Sequence, residues 1–162
     1  MVLFLALLGG IGYVASPRDE QGRPLLLVPG VRAVETYRRQ VVEWAQAWRE
    51  LDGDLRAILS ETSATSLLAQ SQKAQDSFER AVELARRVEQ TDAPPALLGL
   101  REQAAQTATA YVDTSAAINR WLSAPSEENL AAAQEIYRQA SEALAQLESN
   151  EWVAAAMSTA RP

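Results

Sequence analysis

From Val34 onward the apolar residues fall at Val34, Tyr37, Val41, Trp44, Trp48, Leu51, Leu55 and Ile58. The intervals alternate between three and four without a miss. A helix of 3.6 residues per turn places such a series along one seam, and a seam that long must be covered lengthwise by partner helices. A helix over 31–59 would be a rod of roughly 44 Å. Gly53 falls inside it and weakens it by about 1 kcal/mol relative to alanine, but the seam runs past that position unbroken.

The same register continued past Ile58 meets Thr62, Thr65 and Gln72. The cluster Ser60, Thr62, Ser63, Thr65 and Ser66 favours caps and turns, so a break is expected over 60–66. A second helix is expected over 67–91, with Leu67, Ser71, Ala74, Phe78, Ala81, Ala85 and Val88 on its seam, Val82 and Leu84 alongside, and i,i+4 pairs Asp76–Arg80 and Glu83–Arg87 on its solvated face. Thr91-Asp92-Ala93-Pro94-Pro95 marks a boundary: Asp92 can cap a following helix, and proline is tolerated in a first turn.

A third helix is expected over 95–123, with Leu97, Leu100, Ala104, Ala108, Tyr111, Ser115, Ile118 and Leu122 on its seam. After the turn Ala124-Pro125-Ser126, with Ser126 as N-cap and Glu127 and Glu128 at the positive end of the dipole, a fourth is expected over 127–150. Its seam holds Leu130, Ala133, Tyr137, Ala140, Leu144 and Leu147. Trp152, Val153 and Met157 would cover the bundle end before a frayed tail. Large side chains on the first helix and alanines on the others fill a core without voids. Short connections make neighbours antiparallel. The expected fold is all-α: an antiparallel four-helix bundle preceded by a short apolar N-terminal segment. The expected division is 1–16 apolar anchor or signal segment, 17–30 extended linker, 31–152 helical bundle and 153–162 C-terminal tail.

The run Met1–Ala15 carries no charge, and a cluster with Pro17, Arg18, Asp19, Glu20, Arg23 and Pro24 follows. Fifteen helical residues cover roughly 22 Å against about 30 Å of bilayer hydrocarbon. The length suits a signal-peptide core, yet no basic residue precedes it. The expectation is that Met1 is an internal start with more apolar sequence upstream, and that residues 1–15 serve as anchor or signal. Arg18, Arg23 and Arg32 follow the run, which on the written sequence would leave the bundle cytoplasmic; with a basic stretch upstream the bundle would be extracytoplasmic. A soluble cytoplasmic protein with residues 1–15 packed on the bundle is the alternative. Leu25-Leu26-Leu27-Val28, between Pro24 and Pro29-Gly30, reads as an extended strap.

The residue inventory excludes several chemistries. Among 162 residues there is no cysteine and no histidine, and Lys73 is the only lysine. Disulfides, thiolate nucleophiles, histidine bases and His-bearing di-iron motifs are therefore absent. A net charge of −6 argues against nucleic acid, which needs a basic face. No Gly-rich phosphate loop occurs. Glu50, Asp52 and Asp54 lack the further oxygens of a calcium loop and read as an exposed acidic patch. Arg38, Arg39, Arg86 and Arg87 lie within one turn of glutamates and read as solvated surface. No metal, cofactor or catalytic residue is expected.

At the level of organisation the chain resembles bacterial membrane-tethered helical-bundle domains, with no diagnostic residue. The function expected is a non-enzymatic, membrane-tethered or exported bundle at the extracytoplasmic face, acting through contacts with a protein partner. Two alternatives stand beside it. One is a ligand-sensing bundle whose candidate cavity, near Trp44 and Trp48, is lined by Tyr37, Trp44, Trp48, Tyr111 and Tyr137 of the wider aromatic set that also holds Trp121 and Trp152. The other is an enzyme working with carboxylates and arginines alone.

Overall fold

A computed structural model describes residues 29–60 and 67–159. The apolar run, the Leu25–Val28 strap and the expected linker as far as residue 28 lie outside the described residues, as does most of the expected break between the first two helices, at 61–66; the last two residues of the expected linker, Pro29 and Gly30, already belong to the first helix. Four long helices follow one another: α1 (Pro29–Ser60), α2 (Leu67–Gln90), α3 (Leu98–Ser123) and α4 (Glu127–Ser149). They form an antiparallel four-helix bundle, closed at one end by a short α5 (Glu151–Thr159). Among the described residues no helix is long and apolar enough to cross a membrane.

The seam of α1 goes inward as the spacing demands. Tyr37, Val41, Trp44, Trp48, Leu51, Leu55 and Ile58 are all buried. Facing them, α2, α3 and α4 bury Ala74, Ala81, Ala104, Ala108, Ala117, Ala133 and Ala140. Each buried tryptophan removes some 150–250 Å² from water, worth on the order of 5 kcal/mol before the entropy of ordering is counted.

The small residues let α2, α3 and α4 approach closely, with α3 in the middle, while α1 stands off on its large side chains. Polar side chains of α3 then reach the backbones of its neighbours. Thr107 Oγ1 donates to the Ala143 carbonyl and Thr114 Oγ1 to that of Ile136, each at 3.4 Å, beside the shorter bonds that these hydroxyls make within their own helix. Asn119 Nδ2 donates to the Ala74 carbonyl at 3.3 Å. These bonds, with that of Ser115 Oγ to the Tyr111 carbonyl at 2.8 Å, explain how Thr107, Thr114 and Ser115 lie fully buried in an otherwise apolar interior.

The helix ends follow local chemistry. Ser126 takes an extended conformation and its Oγ accepts from the Asn129 amide at 3.1 Å, an N-cap. At the start of the third segment the chain departs from expectation. Pro95–Leu97 form one 3₁₀ turn, closed by Leu97 N–H to the Pro94 carbonyl, and neither it nor α3 has a side-chain cap, so Asp92 does not play that part. Asn150 breaks α4, and its Oδ1 accepts from the Trp152 amide, so the chain re-enters a short helix that the periodicity does not predict and that brings Val153 and Met157 over the bundle end as expected. Val153 is fully buried and α5 packs on α1 as well as α4.

The inward face of α2 is shifted from the expected seam. Gln70, Ala74, Ser77, Ala81, Leu84 and Val88 are buried, whereas Ser71 is exposed and Phe78 and Ala85 are half-buried. The close approach to α3 selects the face with small side chains, and Phe78 is turned to its edge.

Candidate functional site

The first cluster centres on Asp52, the one buried carboxylate among the described residues. It lies beside Leu51 on α1, next to the seam rather than on it, and its carboxylate points between α3 and α4. Oδ1 accepts from the Tyr111 hydroxyl at 2.9 Å and from Ser141 Oγ at 2.8 Å. Oδ2 accepts from the Tyr137 hydroxyl at 3.0 Å and from Arg56 Nη2, one turn along α1, at 3.1 Å. Arg56 Nε donates in turn to the Tyr137 oxygen at 2.9 Å. Tyr111 comes from the seam of α3, and Tyr137 and Ser141 are one turn apart on α4. A single carboxylate thus joins three helices.

The expectation of an exposed acidic patch is corrected here. Asp52 leaves the patch for the interior because four donors converge on it, which offsets the desolvation of a carboxylate. Its neighbours stay outside: Asp54 pairs with Arg80 of α2, and Glu50 lies 4.0 Å from the same guanidinium. Arg80 is engaged there rather than with Asp76. The glutamate–arginine surface pairs appear as expected at Arg38–Glu35 and at Arg86 and Arg87 with Glu83.

The electrostatics of the cluster hold Tyr111 neutral. Burial, then the Asp52 charge that its proton bridges, push the phenol far above its ordinary range. Both Asp52 oxygens are occupied by the fold, so the cluster offers no free base and no open coordination position. Among the described residues no group of three or more acidic side chains is placed to hold a metal ion.

Of the five residues expected to line a cavity, the structure separates two groups. Tyr111 and Tyr137 meet on Asp52. Tyr37, Trp44 and Trp48 form a run on α1, with the Tyr37 and Trp44 rings edge-to-face at 6.0 Å between centroids. Trp121 is half-buried and Trp152 is partly exposed at the bundle end. The Tyr37 hydroxyl and the Trp44 and Trp48 indole N–H groups are buried without a hydrogen-bond partner. Burial pushes the Tyr37 phenol up, against a smaller opposing pull from Arg101.

Tyr37 also belongs to the wall of a groove of about 650 Å³ at the start of α1. Arg32, Ala33, Thr36 and Gln40 continue that wall, and Thr91, Asp92, Ala93 and Pro94 of the α2–α3 connection form the other side.

Sequence reasoning missed Asp52. A signal for it existed: Tyr111 and Tyr137 both sit on seams, and buried phenols need an acceptor. An acidic residue adjoining a third seam is the natural supplier in a chain without histidine. Comparison with known families, characterised proteins and solved structures finds no significant match.

Proposed function

We propose that the chain is a non-enzymatic helical-bundle module that works through protein–protein contacts, tethered or exported at a membrane by its apolar N-terminal run, with the bundle on the extracytoplasmic side. The observation that carries the non-enzymatic part is the engagement of Asp52. The side chain most like a catalytic acid or base has both oxygens bonded to Tyr111, Ser141, Tyr137 and Arg56, an arrangement that fixes helices rather than presenting a reactive group. Surface features agree with a contact role. Val82 and Leu98 stand exposed on α2 and α3, and Leu98 borders a groove lined by Ala85, Val88 and Ala105.

The tether rests on Met1–Ala15, fifteen residues without a charge. Membrane fractionation of the full-length protein, combined with protease added from outside, tests this reading. Membrane association with a digestible bundle is the expected result. A soluble chain protected from the protease would overturn the tether and the extracytoplasmic placement together.

A further inference from the structure

Three of the four unpartnered groups of α1 belong to buried aromatic residues and are of one kind. The Tyr37 hydroxyl and the Trp44 and Trp48 indole N–H groups all have a proton to donate, and what the interior lacks is an acceptor. Buried polar groups in folded proteins are nearly always satisfied, so these three orphaned donors, with Arg38 Nε a fourth on the same helix, are a feature to be explained. Tyr37 is the outermost of the three. It is 3% exposed and belongs to the wall of the 650 Å³ groove, with its hydroxyl screened from water.

That groove has the size of a small-molecule site. Ala33, Ala93, Pro94 and the Tyr37 ring give it an apolar lining. Its positive charge is Arg32. Asp92, on the exposed rim, is the single carboxylate of the lining. An apolar floor with Arg32 and the Tyr37 hydroxyl as donors, and Asp92 out on the rim, fits a compact apolar body bearing one anionic oxygen group.

We propose that this groove binds a small, mostly apolar carboxylate, one oxygen of which accepts from the Tyr37 hydroxyl. Tyr37 has no bond to surrender when it turns toward the carboxylate, so the new bond is gained without a competing loss. Its edge contact with Trp44 passes the change to the next residue of the run. The inference is independent of the protein-contact reading: a bundle that binds no protein could hold such a molecule, and the reverse.

Phenylacetate is a suitable probe, titrated into the full-length protein while the four tryptophan indole N–H signals are followed by NMR. The expected result is a saturable shift of the Trp44 signal, with Trp121 and Trp152 unmoved, and an apparent Kd at least ten-fold weaker in Tyr37→Phe. Phenylalanine keeps the ring and removes only an unpartnered hydroxyl, so that variant folds. Phenylacetamide, which lacks the charge, should bind more weakly than phenylacetate. No saturable shift at millimolar phenylacetate would overturn the proposal, as would undiminished binding to Tyr37→Phe or a response confined to Trp121 and Trp152.

Discussion

The Tyr111 hydroxyl donates to Asp52 Oδ1 across 2.9 Å, a fully interior bond between the third helix and the first. The same carboxylate takes Tyr137 and Ser141 from the fourth helix. Removing the acceptor therefore strands three hydroxyls at once, whereas removing one donor leaves the others in place. Asp52→Ala should cost about 3 kcal/mol of stability and Tyr111→Phe about 1.5 kcal/mol. Urea unfolding of the two single variants and of the double variant measures both, and their coupling. Additive effects would mean that the bond contributes nothing to folding.

Tyr37→Phe should have the opposite sign. It deletes a buried hydroxyl that has no partner, so a rise of about 1 kcal/mol is expected where Tyr111→Phe produces a loss. Thermal unfolding of the two variants side by side reads the contrast. A loss in Tyr37→Phe would show that its hydroxyl is satisfied in solution.

Much of this architecture was legible in the sequence, and what was not has a common cause. The seams of α1, α3 and α4 are periodic over many turns, and periodicity is a local property that the fold need only accept. Burial of Asp52 is not local. Its donors lie 59, 85 and 89 positions further along the chain, and nothing within a turn of Asp52 apart from Arg56 signals their arrival. The face of α2 was misplaced for a related reason. Ser77 and Phe78 are adjacent, hydropathy favours Phe78, and the spacing to α3 favours Ser77. The fifth helix was hidden because Asn150 reads as an ending, although its side chain begins the next helix.

The alkaline limb of stability should carry the signature of the two buried phenols. Tyr111 and Tyr37 both have pKa values raised above the ordinary 10.0, mainly by burial. The native state thus keeps protons that the unfolded chain releases, so their contribution is complete below pH 10 and falls as pH rises beyond it. Tyrosinate absorbance of the native protein should lag that of the unfolded chain. Tyr111→Phe should flatten the fall in stability above pH 10, and an unchanged slope would remove Tyr111 as its source.

The acid limb should be set partly at the surface. Glu83 is held down to about 2 by hydrogen bonds from Arg86 and then Arg87, and Glu135 to about 2 by Arg138 and then Gln139. A lowered carboxyl pKa gives stability that is present above the ordinary 4.5 and is lost as pH falls toward about 2. Both groups are solvent-exposed, so salt should move their titrations back toward the ordinary range. Carboxyl carbon NMR shifts followed against pH, at low and high salt, test this; Arg138→Gln should restore Glu135 and leave Glu83 where it is.

Ser126→Ala should lower stability by about 1 kcal/mol, because it removes the acceptor of the Asn129 amide at the start of α4. Ser126→Gly should lose only a few tenths, since glycine suits the cap conformation. Chemical denaturation of the pair separates the cap bond from any wider effect: equal losses would mean that the hydroxyl is not what holds the helix start.

Gly53 sits between the buried Asp52 and the exposed Asp54, in the interior of α1. A Cβ placed there meets no atom within 4 Å. Alanine would restrict the unfolded chain and raise helix propensity without touching the Asp52 bonds, so Gly53→Ala should gain about 1 kcal/mol. The value of the test lies in its geometry. A gain means that α1 is a continuous helix through the position where its polar cluster leaves the seam. A loss would mean that the helix bends at Gly53 to deliver Asp52 inward, and that glycine is there for the cluster.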